Sequence, residues 1–175
     1  MERLALRYVE RFATTRGKLA DYLVRKARER GWEGNGSAAT VAAELAGKMA
    51  ALGYVDDRAY AAAKAAALTR RGLGAGRVTM ALRQARVGAE DVAAIQPAVV
   101  RDRIDSALAF ARRRRIGPFA AQPAERQQRE KQIGAMVRAG HSFALARLIV
   151  SAGPGDEIDY DTGPAIGACD DDEPC

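Results

Sequence analysis

Apolar residues recur every three or four positions along most of this chain, the spacing that gives a helix one buried stripe. Leu4, Tyr8 and Phe12 form such a stripe in the first segment, and Leu19, Tyr22, Leu23 and Ala27 form one in the second. Ser37 stands as the N-cap of a third segment, which carries Val41, Leu45, Met49 and Leu52 and stops at Gly53. The intervening "GWEGNGS" is a loop by its glycines and asparagine. An alanine-rich helix follows Asp57, runs to about Arg71 and ends at Gly72. Val78, Ala81, Leu82 and Ala85 share one face of a short helix, and Val92 and Ile95 point inward from another that begins near Ala89. Val100, Ile104, Ala107, Leu108 and Ala111 predict a long helix ending in four arginines. After the loop "GPFAAQPAE", whose Pro123 suits the first turn of the next helix, Ile133, Met136 and Val137 mark a segment ending near Gly140. Ser142 caps the last helix, with Phe143, Leu145, Leu148 and Ile149.

These helices fall into threes. The stretch from Leu82 to Ile95 lies over the stretch from Met136 to Ile149 without a gap, so that Leu82 meets Met136, Ala85 meets Ala139 and Gly88 meets Ser142. β-branched residues are too dispersed to make strands, whereas runs of Ala, Leu, Arg and Glu lose little rotamer freedom in a helix. The expected fold is therefore all-α: an elongated array of three tandem three-helix repeats, each a helix–turn–helix-like unit. The repeats are expected over 1–54, 55–97 and 98–152. Residues 153–175 are poor in apolar side chains and rich in Gly, Pro and acid, and are expected to form a disordered acidic tail.

Charge divides the chain in the same place. All 28 Lys and Arg precede residue 153, whereas eight of the 22 acids follow it. With 28 basic against 14 acidic residues the body carries +14, and the tail carries −8. So basic a body suits a polyanionic partner such as nucleic acid, an acidic protein surface or a headgroup layer. The tail in turn suits a competitor that folds back over the body. Both cysteines, Cys169 and Cys175, sit in the tail, which leaves the body without a disulfide framework. The opening "MERLALRYVERFA" interrupts its apolar residues with charges and lacks a signal-peptide core, and no uncharged apolar run is long enough to span a bilayer. The reading is a cytoplasmic protein with no membrane partner.

The candidates for chemistry are few. Asp56 and Asp57, in "GYVDDRAYA", have the look of a carboxylate pair but stand where a helix N-cap is wanted. Val55 and Tyr60 then have the spacing of a hydrophobic staple. Asp57 adds negative charge at the favourable end of the helix dipole, and Arg70 and Arg71 place positive charge at the other. "GLGAG" (72–76) follows a helix rather than a strand and lacks the Lys-Ser/Thr ending of a phosphate loop. His141 is the only histidine and has no partner for metal or nucleophilic chemistry. Two cysteines on a tail make a poor metal site. The chain thus reads as a non-enzyme with no cofactor and no metal.

The arginines carry the functional reading. Arg70, Arg71, Arg77, Arg83 and Arg86 cluster around one helix–turn–helix, Arg112, Arg113, Arg114 and Arg115 end a helix, and Arg126 and Arg129 open another. Basic elements of this kind are suited to phosphate contacts, which are salt-sensitive and largely independent of sequence. Few aromatics interleave with them, so base stacking at these arginines is not expected.

At this point the sequence resembles the RecX family, bacterial regulators of the RecA recombinase. The run "GYVDDRAYAAAKAAALTRRGLGAGRVTMALRQARV" is similar to that family's most recognisable segment. Gly53 and Tyr54 precede the acidic pair Asp56 and Asp57; Tyr60–Ala61, Arg70–Arg71, Gly72, Arg77–Val78 and Leu82 follow in the family's order. The opening "ALRYVERFATTRGKLADYLVRKARERG" also resembles the family, with Leu19 and Leu23 in place. The likeness covers residues 3 to about 152. Departures are Thr15 and Lys18 before Leu19, where the family often has Ser-x-x-Glu-Leu, and the want of a glycine near Arg86. The resemblance implies three tandem three-helix repeats and a non-enzymatic regulator; the protein is expected to act as a monomer. It implies binding along the groove of RecA filaments on single-stranded DNA, with lower RecA ATPase, strand-exchange and coprotease activity. The alternative is a stand-alone helix–turn–helix DNA-binding protein.

Overall fold

Short side-chain-to-backbone contacts start several of these helices, and left-handed residues stop most of them. The structure, a computed structural model, describes residues 1–160. Among the described residues the fold is all-α, with nine α-helices and one 3-10 turn, Gly117–Phe119. The helices are α1 (Glu2–Val9), α2 (Arg16–Glu29), α3 (Ala38–Ala51), α4 (Asp57–Arg70), α5 (Ala75–Gln84), α6 (Ala89–Arg101), α7 (Arg103–Arg114), α8 (Arg126–Arg138) and α9 (Phe143–Ser151). Thr15, Ser37 and Ser142 cap α2, α3 and α9 by accepting the N–H three residues on. Asp56 caps α4 in the same way, through Ala59 N–H at 2.8 Å.

At their C-termini α4 and α8 place Gly72 (φ +74°) and Gly140 (φ +94°) in the left-handed region. There the next N–H can reach back to a carbonyl of the last turn: Leu73 to Leu68 at 3.1 Å, His141 to Met136 at 3.2 Å. The same closure ends α5 and α7, but with Arg86 (φ +59°) and Arg115 (φ +54°) at the left-handed position.

Three expected boundaries move. α1 ends at Val9, so Phe12 lies beyond it; the ring is 56% exposed and rests on Tyr8 at 5.2 Å rather than entering the core. The long helix expected from Val100 is interrupted at Asp102. α6 instead continues through Pro97, which cannot donate to a carbonyl of the preceding turn, and leaves Val100 exposed. Pro123 precedes α8, whose first residue is Arg126.

The chain forms two compact units. The first comprises 1–65 and 79–96, and the second 66–78 with 97 onward. In the first, Ala5, Leu19, Leu23, Ala42, Ala46, Met49 and Val55 form the core, with α2 packed chiefly on α3. In the second, Ala107, Phe110, Ile116, Met136, Leu145 and Ile149 lead the core, with α8 and α7 packed on α9. The stretch after α9 stays with this unit as far as it is described. Gly155 N–H donates to Pro118 O at 3.0 Å, and Ile158 and Tyr160 pack on the core, where burial raises the Tyr160 phenol above its ordinary pKa. The rest of the expected acidic tail, with Cys169 and Cys175, lies outside the described residues.

Candidate partner-binding surface

The acidic pair that opens α4 is structural in two different ways. Asp56 caps its own helix. Asp57 is 5% exposed at its side chain and reaches another helix, accepting the backbone N–H of Arg16 at 2.8 Å and Arg16 Nε at 3.2 Å. Arg16 opens α2, so the Asp57 carboxylate satisfies a free donor at that N-terminus and meets the positive end of its dipole. A capping role was legible; that it serves α2, 41 residues away in sequence, was not. Besides Asp57, the buried residues of α4 are Ala61 and Ala65, with Tyr60 and Leu68 half-buried. Two alanine methyls bury little apolar area, and polar ties at the ends of α4 add to its placement.

The tie at the far end is His141. It is 5% exposed, its Nε2 lies 3.1 Å from the carbonyl of Gly72, and its ring meets Phe110 edge-on with centroids 5.7 Å apart. A carbonyl only accepts, so Nε2 carries the proton and donates it. Burial lowers the His141 pKa, and the bond to Gly72 opposes this in part. The only histidine thus has a structural partner, the turn that carries Arg71.

That turn and the end of α7 bring sequence-distant arginines together. Arg71, Arg113 and Arg114 line one pocket of about 280 Å³ with Leu73 and Phe110. Gly72 is required there: a Cβ would stand 2.6 Å from the backbone nitrogen of Phe110 and 2.7 Å from the Arg113 guanidinium. Arg114 lies over the Phe110 ring at 5.7 Å, and Arg113 Nε donates to Ala109 O at 3.4 Å. Among the described residues no carboxylate pairs with these three.

The remaining arginines stand elsewhere, all of them exposed. Arg70 ends α4, and Arg77 lies in the first turn of α5. Arg83 and Arg86 line a second pocket, in the first unit, with Asp21 and Gly17. There Arg86 holds Asp21 through two bonds of 2.9 and 3.0 Å; the hydrogen bond from Arg86 keeps the Asp21 carboxyl below its ordinary pKa. Arg112 stacks over Phe119 at 4.8 Å, Arg115 is the left-handed end of α7, Arg126 pairs with Glu130 at 3.2 Å, and Arg129 follows on α8. The structure therefore joins Arg71 to the arginine run and leaves Arg126 and Arg129 out of that pocket. Sequence reasoning missed Leu73 and Phe110. Their apolar spacing marks both as core, and no local signal places either beside a cation.

No helix among the described residues is long and apolar enough to cross a membrane. No protein-family model matches the chain. Over 161 residues it is 33% identical to the regulatory protein RecX of Myxococcus xanthus (strain DK1622), across 88% of this chain and 86% of that one. A crystal structure described as regulatory protein RecX has the same fold: TM-score 0.58 and 22% identity, over 85% of this chain and 68% of that one. The fold agrees, and identity at this level across nearly the full length of both sequences settles the relationship: the chain belongs to the RecX family of regulatory proteins.

Proposed function

We propose that this protein is a cytoplasmic regulator that binds RecA filaments on single-stranded DNA and lowers RecA's ATPase, recombinase and coprotease activities. It docks in the filament groove, as a monomer and without catalysing a reaction. The observation that carries this reading is the similarity to the Myxococcus xanthus regulatory protein across most of both chains. The exposed arginines on α4, α5, α7 and α8 support it, because a groove lined by phosphates and acidic side chains is held by many moderate, salt-sensitive contacts.

The division into three repeats belongs to the same proposal, and two equivalent joints support it. Thr15 and Gly74 each precede a helix (α2 and α5), and each donates to an alanine carbonyl at the end of another. Thr15 Oγ1 bonds Ala85 O at 2.6 Å, and Gly74 N–H bonds Ala139 O at 2.9 Å. Ala85 and Ala139 are the pair that the gap-free overlay of the two segments matches.

Adding the purified protein to RecA on single-stranded DNA is expected to slow ATP hydrolysis, more at low salt than at high. Unchanged hydrolysis at excess protein and low salt sinks the proposal. Sequence-preferring binding to duplex DNA, undiminished without RecA, replaces it with the stand-alone DNA-binding reading.

A further inference from the structure

Three arginines lining one small pocket is an arrangement that needs an explanation. Like charges that approach within about 4 Å repel by about 1 kcal/mol per pair even in water, and more beside an apolar wall. A surface arginine ordinarily relieves this by swinging into solvent or pairing with a carboxylate. Here Arg71, Arg113 and Arg114 line the same space, and no carboxylate among the described residues pairs with them. Two of them are also held. Arg114 lies over Phe110, and Arg113 donates through Nε to Ala109 O, which leaves the outer N–H groups of both for a ligand.

The backbone beneath is fixed too. His141 binds the Gly72 carbonyl from a buried position, and Gly72 lacks the Cβ that would push Arg113 away. Leu73 and Phe110 give the pocket an apolar wall. A carboxylate offers one charge and two oxygens. A phosphate offers more oxygens to several guanidinium forks, and the sugar or base attached to it has a use for the apolar wall.

We propose that this pocket of the second unit, formed by Arg71, Arg113 and Arg114 with Leu73 and Phe110, binds a phosphate group, from a nucleic-acid strand or a free nucleotide. The site deepens the filament-binding reading by giving the strand one defined phosphate position, and it is tested without RecA so that the two stand or fall separately.

The test is fluorescence anisotropy of a labelled oligothymidylate with the full chain, at two or more salt concentrations. Arg71→Gln/Arg113→Gln is expected to weaken binding at least tenfold at low salt and to reduce the log–log salt slope by about 1.4, two contacts at about 0.7 each on a single strand. Arg129→Gln, on α8 outside the pocket, is expected to weaken binding less than threefold. Circular dichroism should show the same helicity in all three proteins, since every altered side chain is exposed. Inorganic pyrophosphate should compete with the strand on the wild type and lose that effect on the double variant. Competition by thymidine monophosphate would extend the site to free nucleotides; strand binding without it would confine the site to the backbone. Unchanged affinity and slope in the double variant would overturn the proposal. So would competition by an aspartate-rich peptide where pyrophosphate of equal charge has none, because the pocket would then be built for an acidic protein surface. A RecA ATPase that ignores the wild-type protein tells against the regulator reading alone.

Discussion

The two units contain the same joint made with different chemistry. In the first, the hydroxyl of Thr15 reaches the Ala85 carbonyl, and Gly17 lies so close to Arg86 that a Cβ on it would stand 2.3 Å from the Arg86 Cβ. In the second, the backbone N–H of Gly74 reaches the Ala139 carbonyl, and the close approach is glycine to glycine. A Cβ on Gly74 would stand 2.2 Å from Gly140 O, and one on Gly140 would stand 2.4 Å from Arg77 N. The left-handed residue is an arginine in one and a glycine in the other. What is held constant is the meeting of a helix start with the last carbonyls of another helix; the side chains that achieve it are free to differ. At Arg86 the strained backbone persists because Gly17 makes room for its Cβ and Asp21 holds its guanidinium.

Exchanging the two solutions is the most damaging way to break the comparison. Gly74→Thr puts into the second unit the residue the first unit uses, where it meets backbone on the facing helix end. A destabilisation of about 3 kcal/mol is expected, read from urea unfolding. Tolerance of this change would mean that the joints are not equivalent.

A smaller loss, about 1–2 kcal/mol, is expected for Thr15→Val. The variant keeps the shape but removes both the cap to Lys18 N–H and the bond to Ala85, at a residue with no exposed surface. A loss below about 0.5 kcal/mol would show that the hydroxyl is dispensable and that packing alone holds the first joint.

Acidification separates the joints more gently. In the second unit Val87's matched position is His141, whose pKa burial lowers, whereas the first joint has a hydroxyl that does not titrate in this range. A base held neutral in the fold takes up its proton more readily when unfolded. Its contribution is thus complete above the unfolded value of about 6.5 and is lost as pH falls through the lower folded value. Thermal unfolding of the wild type and of His141→Gln, which keeps an N–H donor, should differ by a constant amount above about pH 7 and converge or cross below about pH 6. A constant difference down to pH 5 would show that His141 does not titrate between the two states.

Much of the helical order was legible because it is written locally. Ser37, Asp56 and Ser142 cap helices where their types and the following apolar periods indicate, and Gly53, Gly72 and Gly140 end them. Local signals failed where a distant segment decided. Nothing near Arg86 or Arg115 predicts a left-handed arginine, nothing near Phe12 tells an exposed ring from a core one, and Pro97 marks a helix end that the helix passes through. Every proposed arginine is exposed. Which of them share a pocket did not follow from the sequence, since Arg71 and Arg113 meet through the Gly72 turn.

The sequence by itself therefore determined the helices, most of their ends, the excess of positive charge and the family, because propensity, capping and apolar period act within one or two turns. Only the tertiary structure decided that Asp57 serves the start of α2, that His141 clamps the turn after α4, and that three of the arginines line one pocket with Phe110. The two hydrogen bonds join residues 41 and 69 positions apart, and a hydrogen bond or a cavity between distant segments depends on where packed helices come to rest.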